Sequence, residues 1–218
     1  MRESRRIPPA TIARLPLYLR ELEELGEADQ DVVSSRVLSE LTQFSSEQIR
    51  KDLAYFGAFG RRGIGYSVAH LASAIRRILG IAEEPELALV GAGRLGTALL
   101  RYLSRRHAGL SVGAVFDADP DKSMGQVEGH RVLPASAITE EVRQRNIRLA
   151  AITVPAAAAQ EVFAALVEGG VRAVLNFAPV KLKHPTVFVH NLDLATELQA
   201  LAYYGQAKGG VGRERPDA

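Results

Sequence analysis

The sequence contains no cysteine and no apolar run long enough to cross a membrane. Without cysteine the chain has no disulfide framework, no thiol nucleophile and no cysteine-ligated zinc. No stretch reaches the roughly 18 apolar residues of a membrane-spanning helix, and the N-terminal arginines are not followed by the apolar segment of a signal peptide. These absences predict a cytoplasmic protein that has neither a membrane nor a metal ion as a partner.

Obvious catalytic groups are also missing. The five histidines show no metal-ligand spacing such as H-E-x-x-H and no clear acid–base partner. Tyr204 and Lys208 do match the Tyr-x-x-x-Lys pair of short-chain dehydrogenases, but Gly205 interrupts them and only ten residues follow. We therefore expect no catalytic residue in this chain.

The chain does have the material for real cores. It has 218 residues, of which 47% are hydrophobic, which is enough for one large domain or two small ones. The formal net charge is only +2, so the distribution of charge along the chain is more informative than its sum.

A glycine-spaced turn follows a short apolar segment near the middle of the chain. Residues 86–90 are predicted to form a buried strand, residues 95–107 a helix, and G-x-G-x-x-G connects them. In this context Gly91 permits the tight turn, Gly93 lets the backbone approach a pyrophosphate, and Gly96 lets helix and strand pack closely. The predicted dinucleotide contacts are Gly91, Ala92, Gly93, Arg94, Leu95 and Gly96. The alternative is a glycine turn without a ligand.

An acidic residue ends the next predicted strand, residues 112–116. Asp117 lies 21 residues after Gly96 (117 − 96), where a carboxylate can accept both ribose hydroxyls and repel a 2′-phosphate. The sequence therefore predicts NADH and NAD⁺ rather than their 2′-phosphorylated forms. Lys122, in the following polar turn, either covers the adenine ring or is simply solvated.

Strands and helices continue to alternate beyond this point. Strands are predicted at residues 148–153, 172–175 and 186–190, with helices at 137–146 and 156–168 between them. This alternation is typical of a parallel sheet, in which ligands bind at the carboxyl ends of the strands. The segments that should border the nicotinamide are Thr153, Val154 and Pro155, and Asn176, Phe177 and Ala178; their prolines could equally be strand terminators.

The first eighty residues have a different pattern, that of amphipathic helices. In the first helix Ile12, Leu15, Leu19, Leu22 and Leu25 recur at spacings of three and four, and Pro16 should kink or restart it. A second helix is predicted after Ser34 and Ser35, with Val37, Leu38 and Leu41 inward. A short turn at Gln43 and Phe44 follows it.

The third helix, at about residues 46–56, is predicted to be a recognition helix. Ser45 and Gln48 match a capping box. Ile49, Leu53 and Phe56 share one face, whereas Arg50, Lys51, Ala54 and Tyr55 occupy the other half. A tight turn followed by a helix with basic and aromatic residues outward is typical of major-groove readers.

A glycine-punctuated segment that follows is predicted to be a β-hairpin wing. It carries Arg61 and Arg62 between Phe59 and Tyr66, where they could reach phosphates or a narrow minor groove. Residues 50–77 hold six basic residues against one acidic residue. A solvated charged face is the alternative interpretation of this cluster, but helix and wing together favour DNA.

The chain is predicted to change domain at residues 83–85. A helix begins after Ser67, with Leu71, Ile75 and Ile78 inward, and stops at Gly80. The predicted organisation is a winged-helix domain at residues 1–82, a Rossmann domain at 83–190, a C-terminal helix at 191–206 and a disordered tail at 207–218. An NAD-dependent oxidoreductase with an accessory helical domain is the alternative, but a cofactor site without a catalytic group favours a sensor.

These motifs together resemble those of the Rex family of bacterial redox-sensing repressors. The resemblance extends from about Ile7 to Tyr204 and is carried by residues 48–57 (QIRKDLAYFG), 62–66 (RGIGY), 90–96 (VGAGRLG), 116–120 (FDADP) and 176–179 (NFAP). Ala54 departs from the serine that is usual in the family. The resemblance implies an α/β chain with an N-terminal winged helix-turn-helix domain and a C-terminal Rossmann-like domain, ending in a helix exchanged between subunits.

The resemblance also implies how such a chain would work. A homodimer would read an inverted repeat in double-stranded operator DNA and leave it when NADH binds. Arg20, Tyr102 and Asp193 would form the polar cluster that couples cofactor state to domain orientation. The residues expected to contact DNA are Ser45, Ser46, Gln48, Arg50, Lys51, Tyr55, Arg61, Arg62, Gly63 and Tyr66.

Overall fold

A computed structural model of the protein describes residues 7–57, 60, 61, 64–105, 109–122 and 125–206. The chain folds into two compact units, and the division falls between Glu83 and Glu84. Among the described residues no helix is long and apolar enough to span a membrane.

The N-terminal unit is a small helical domain with a short antiparallel sheet. Its elements are α1 (Pro9–Glu27), β1 (Val32–Val33), α2 (Ser35–Thr42), α3 (Ser46–Ala54), β2 (Gly60–Arg61), β3 (Gly65–Ser67) and α4 (Val68–Leu79). The strands lie in the order β1-β3-β2. The predicted hairpin is therefore present, but it gains a third strand, β1, that sequence patterning did not predict.

The helical stripes of this unit are buried except at two positions. Leu15 and Leu22 are fully buried, whereas Ile12 and Leu41 are 37% and 43% exposed, so the prediction that these two face inward was wrong. Of the two outcomes predicted for Pro16, a kink or a restart, the restart does not occur, since α1 runs through Pro16 as one helix of 19 residues.

Serine side chains fix where the helices of this unit begin. The Ser34 hydroxyl accepts from the Val37 backbone N–H at 3.2 Å, and the Ser45 hydroxyl accepts from that of Gln48 at 3.1 Å. The predicted capping box at Ser45 is only half formed, because the Gln48 side chain donates instead to Asp52, at 2.9 Å. Ser67 caps α4 in the same way as Ser34 caps α2, and Gly80 ends α4 in the left-handed conformation.

The C-terminal unit is a parallel sheet with helices between its strands. Its elements are β4 (Glu86–Val90), α5 (Arg94–Arg105), β5 (Ser111–Asp117), β6 (Gln126–Val127), β7 (His130–Pro134), a 3₁₀ turn (Ala135–Ala137), α6 (Ile138–Gln144), β8 (Leu149–Ile152), α7 (Ala156–Gly169), β9 (Ala173–Asn176), β10 (Phe188–Asn191) and α8 (Leu194–Gln206).

The order of the strands places β4 at the centre of the sheet, where the direction of the connections changes. The sheet runs β10-β9-β8-β4-β5-β7-β6, and every adjacent pair is parallel except β6 with β7. From β4 the chain proceeds to β5 on one side and later to β8 on the other, so β4 lies at the switch point where such sheets bind ligands. The predicted strands did not include β6 and β7.

The two faces of the sheet are both covered. Ala88 and Val90 of β4 join a core with α6 and α7, whereas Leu87 and Leu89 join a second core with Leu100 of α5. Alternate residues of one buried strand thus supply two cores, as expected of a doubly wound sheet.

The last helix has its apolar residues exposed within the chain. Leu194, Leu198 and Leu201 are 53%, 66% and 61% exposed, and Tyr203 is 72% exposed. The three leucines repeat on one side of α8, but the described residues of their own unit do not bury them.

Candidate nucleotide and nucleic-acid sites

The glycine loop joins β4 to α5 at the switch point of the sheet. Gly91 has a φ of +102°, and a Cβ there would lie 2.9 Å from the Thr153 backbone carbonyl. A Cβ on Gly96 would overlap the Gly91 carbonyl oxygen, whereas a Cβ on Gly93 would meet no atom within 4 Å. Gly91 and Gly96 are therefore needed by the fold itself, while Gly93 borders open space that a pyrophosphate could occupy.

The loop is tied to the neighbouring strand by Thr153, directly after β8. Its hydroxyl lies 2.7 Å from the Gly91 carbonyl oxygen and 3.0 Å from that of Val90, and donates to this pair. Its backbone N–H donates to Val90 O at 2.9 Å. Thr153 thus uses its polar groups inside the protein, where they hold the glycine turn in place.

Asp117, at the end of β5, is bonded to the same loop. Its Oδ2 accepts from the Ala92 backbone N–H at 2.7 Å, and its Oδ1 accepts from the Asp119 N–H at 2.9 Å. Lys122 Nζ lies 3.6 Å from Asp117 and 3.5 Å from Asp119. A carboxylate is thereby fixed beside the loop, where it can accept hydrogen bonds from ribose hydroxyl groups and repel a 2′-phosphate.

At the start of α5, Arg94 and Leu95 are both exposed, Leu95 by 41%. A helix start offers backbone N–H groups to an anion. Among the described residues, no group of three His, Asp or Glu side chains is arranged to hold a metal ion.

The segment after β9 is shaped by a buried asparagine. Asn176 is fully buried, its Nδ2 donates to Val180 O at 2.7 Å and to Asn191 Oδ1 at 2.9 Å, and its Oδ1 accepts from Ala178 N–H at 3.0 Å. These bonds direct its amide into the protein. Phe177 beside it is half-buried, and its N–H donates to Ile152 O at 2.9 Å.

The remaining residues assigned to the nicotinamide side differ in exposure. Val154 is half-buried, Pro155 is exposed where α7 begins, and Ala178 is buried. Asn191, which the sequence did not indicate, completes this corner because its side chain also bonds both backbone groups of Leu182. A polar residue near the end of the last strand is too weak a signal to have revealed it.

The exposed face of α3 is basic and aromatic, as predicted. Arg50, Lys51 and Tyr55 are exposed, and Arg50 Nη1 donates to the Ser35 hydroxyl at 2.9 Å. Ser45 is exposed and Ser46 is half-buried at the start of the helix.

The wing is described only in part. Arg62 and Gly63 lie outside the described residues, and of Arg61 the structure describes the backbone in β2. Tyr66 is 9% exposed and packs in the core of the N-terminal unit, and burial raises the pKa of its hydroxyl. It therefore holds the base of the wing rather than presenting its ring to solvent.

A buried charged network between α1 and α3 was not predicted from the sequence. Asp52 is fully buried and accepts from Thr11, Arg14 and Tyr18 of α1 and from Gln48. Burial opposes ionisation of Asp52, but these hydrogen bonds outweigh it and lower the carboxyl pKa. The available signal was polar residues at i, i+3 and i+7 on the buried side of α1.

Of the three residues of the expected coupling cluster, one lies in the N-terminal unit and two lie in the C-terminal unit. Arg20 on α1 pairs with Glu21 at 2.8 Å, and Tyr102 on α5 is 53% exposed. Asp193 precedes α8, where its Oδ1 accepts from Ala195 N–H at 3.0 Å and its Oδ2 from the Thr196 hydroxyl at 2.9 Å. The bond from the Thr196 hydroxyl is the main reason why the Asp193 pKa is lowered.

Two family models match the chain. One is described as a putative DNA-binding protein N-terminus and matches residues 6–54, and the other is described as a CoA binding domain and matches residues 82–180. Their boundary agrees with the two units of the fold.

Curated relatives match almost the full length. A redox-sensing transcriptional repressor Rex from Natranaerobius thermophilus is 48% identical over 91% of this chain and 91% of its own. Another from Brevibacillus brevis is 41% identical over 94% of this chain and 99% of its own.

Solved structures match the fold as well. RSP in complex with β-NAD⁺ and operator DNA has a TM-score of 0.84 at 33% identity, covering 92% of this chain and 93% of that one. RSP in complex with β-NADH has a TM-score of 0.78 at 32% identity, covering 91% and 93%.

Proposed function

The chain belongs to the Rex family of redox-sensing transcriptional repressors, and we propose how its two units divide that function. The N-terminal winged helix binds operator DNA, and NADH bound at the glycine loop of the C-terminal unit releases it. The protein is a regulator that reports the ratio of NADH to NAD⁺, not an enzyme, and it acts in the cytoplasm on the chromosome. The observation that carries this assignment is the presence, in one chain, of a basic reading helix and an NAD-type loop.

The cofactor is held by the loop and by the ends of β5, β8 and β9. Open space at Gly93 fits the pyrophosphate, and the N-terminus of α5 at Arg94 and Leu95 supplies N–H groups. Asp117 accepts hydrogen bonds from the ribose hydroxyls, and its Oδ2 does so while it also accepts from the Ala92 N–H. The backbone near Val154 and the half-buried ring of Phe177 border the nicotinamide.

Thr153 and Asn176 support this site from within. The polar side-chain atoms of both residues are hydrogen-bonded within the protein. Thr153 therefore fixes the loop and Asn176 fixes the turn after β9, and neither binds the nucleotide directly. The cofactor residues thus divide into a contacting group and a supporting group.

DNA is read by the exposed face of α3. Arg50, Lys51 and Tyr55 enter the major groove, and the wing arginines reach the adjacent backbone. Tyr66 contributes indirectly, by fixing the wing.

The active form is a homodimer. An inverted repeat has two-fold symmetry, which the protein matches only with two copies. The uncovered leucines of α8 are the surface that we assign to this contact, with the helix exchanged between subunits. Their burial removes an apolar patch that a single chain leaves exposed.

The required coupling between the two sites is modest. A shift of the dimer from 99:1 to 1:99 needs about 10⁴-fold differential affinity, or roughly 5.5 kcal/mol. If two identical sites contribute equally to this factor, each NADH needs to bind the released form of the protein only about 100-fold more tightly than the DNA-binding form.

The test is fluorescence anisotropy on an inverted-repeat DNA selected from a random pool, titrated separately with NADH and NAD⁺. We expect release by NADH at concentrations where NAD⁺ has little effect. DNA binding that ignores both nucleotides would refute the sensor, and failure to select any DNA would favour the oxidoreductase alternative.

Two matched variants assign the DNA face in the same assay. Lys51→Ala should weaken operator binding about tenfold or more and leave NADH affinity unchanged, whereas Lys181→Ala, an exposed lysine of the C-terminal unit, should change neither. Equal effects of the two changes would count against α3 as the reading helix.

A further inference from the structure

The reading helix α3 carries a buried carboxylate on the side that packs against α1. Asp52, the neighbour of exposed Lys51, receives four hydrogen bonds from one face of α1. Thr11 Oγ1 donates at 3.0 Å, Tyr18 Oη at 2.7 Å, and Arg14 donates twice, from Nε at 2.7 Å and Nη2 at 2.8 Å.

A fifth donor comes from α3. Gln48 Nε2 lies 2.9 Å from Asp52 Oδ1, one helical turn earlier on the same helix. An ionised carboxylate has about four acceptor positions, so α1 alone can satisfy Asp52. The contact with Gln48 adds to the hydrogen bonds that favour the buried charge, and its main consequence falls on Gln48.

That consequence is a fixed orientation of the Gln48 amide. A carboxylate accepts hydrogen bonds and donates none, so only the NH₂ end of the amide can face Asp52. The reverse orientation would bring two acceptor oxygens together. The amide oxygen is thus directed away from the carboxylate.

Gln48 is well placed for this orientation to matter. It is the third residue of α3, half-buried, and lies between the buried Asp52 and the exposed Lys51 and Tyr55 on the helix. The N-terminal residues of a recognition helix are the ones that contact base edges.

We infer that Asp52 acts through Gln48 as a positioning residue that sets the hydrogen-bond polarity of the reading helix. This inference rests on the proposed function. With its oxygen outward, Gln48 accepts from an exocyclic amine in the major groove. Because adenine supplies this amine in an A·T pair and cytosine supplies it in a G·C pair, each operator half-site contains one base pair whose amine Gln48 contacts on a single strand.

The experiment is operator selection from a random pool, sequenced for the wild type and for three variants. Gln48→Met keeps the length of the side chain and removes the amide, so preference should disappear at one position per half-site. Gln48→Met should bind the preferred sequence about 10- to 100-fold less tightly. At that position, an operator whose adenine or cytosine lacks the exocyclic amine should weaken binding of the wild type by a similar factor and leave that of Gln48→Met unchanged.

Asp52→Asn supplies the test of positioning. An asparagine can donate to the Gln48 oxygen, which permits the reversed amide, so the same base pair with its two bases exchanged between the strands should become tolerated. Glu47→Gln, at the exposed neighbouring position, is the control and should change affinity equally across sequences. NADH affinity and the thermal unfolding midpoint report folding in each variant.

The inference is overturned if Gln48→Met lowers affinity equally for all sequences, or if removal of the exocyclic amine at the lost position does not weaken binding of the wild type. It is also overturned if a folded Asp52→Asn variant keeps the wild-type preference. If Asp52→Asn does not fold, the effect of removing the amine decides by itself. A wild type that selects no DNA would refute the proposed function, and this inference with it.

Discussion

The glycines of the nucleotide loop differ in what an added methyl group would meet. At Gly93 it would meet nothing within 4 Å, and at Gly96 it would overlap the Gly91 carbonyl oxygen. We expect Gly93→Ala to leave the unfolding midpoint of the C-terminal unit near that of the wild type, yet weaken NADH about tenfold or more, because the methyl group fills the pyrophosphate space. Isothermal titration and thermal unfolding measure the two effects.

Gly96→Ala is the companion variant and should behave in the opposite way. Its methyl group must displace the backbone, so it should lower the unfolding midpoint even without NADH. If Gly93→Ala were the less stable of the two variants, the assignment of open space to the cofactor would be wrong.

Asp117 should set the preference for NADH over NADPH. Asp117→Ala removes the charge that repels a 2′-phosphate and the acceptor of the Ala92 N–H, so the ratio of NADPH to NADH dissociation constants should fall about tenfold. Asp119→Ala is the matched control, since Asp119 also lies near Lys122 but accepts from Asp121 and not from the loop. An unchanged ratio in Asp117→Ala would contradict its contact with the ribose.

Residue roles were predictable where local geometry dictates them. The tight turn predicted at Gly91 and the close packing predicted at Gly96 are both present in the structure, and the space beside Gly93 is open. The inward bonds of Asn176 were not predictable, because its partners Val180 and Asn191 are set by the path of the chain after β9. A buried amide and a ligand-binding amide look alike in sequence.

At the scale of elements, α1 and α3 are joined by a charge rather than by apolar packing alone. Asp52 carries a lowered pKa, so its stabilising contribution is complete above the unfolded-state value of about 3.9 and is lost as the pH falls towards the folded-state value. Asp52→Asn should therefore destabilise the N-terminal unit at pH 7, and its difference from the wild type should shrink below about pH 4.

Hydrogen exchange of the α1 and α3 amides across this pH range measures that difference. Glu24→Gln, an exposed change on α1, is the control and should show little effect at either pH. A constant gap between Asp52→Asn and the wild type from pH 7 to pH 3 would show that the charge itself does not stabilise the unit.

The elements that sequence patterning found show a helical period, a buried apolar run or a glycine-punctuated turn. The helices and the buried strands β4, β5, β8 and β9 were predicted with small shifts of their ends. By contrast, β1 and β6 have two residues each, and β7 has Val132 as its one fully buried residue. Such strands are defined by the partner that they pair with, so their own sequence does not reveal them.

At the scale of the whole molecule, the sheet order and the last helix have different causes. Alternating strands and helices predict the parallel sheet directly, and the order with β4 at the switch point places the loop, Asp117 and Thr153 at one edge. Among the described residues nothing covers the leucines of α8. It was the resemblance to the Rex family, and not the pattern of the sequence, that predicted an exchanged helix here.

Coupling between the two units is the property that neither unit has alone, and Asp193 offers a clean test of it. Because this carboxylate also caps α8, replacement by alanine would remove both the cap and the charge. Asparagine is an equally good cap and carries no charge, so Asp193→Asn isolates the part of the charge in the coupling that the family resemblance implies for Asp193.

We expect Asp193→Asn to bind operator DNA and NADH each within about threefold of the wild type, while NADH no longer releases the DNA. The reason is that coupling requires about 100-fold discrimination per site between two states, which the binding of either ligand alone does not. Glu197→Gln, an exposed acid in the first turn of α8, should keep full release. Anisotropy titrations with and without NADH decide the matter: if Asp193→Asn still leaves DNA at wild-type NADH concentrations, the coupling passes through other residues than this carboxylate.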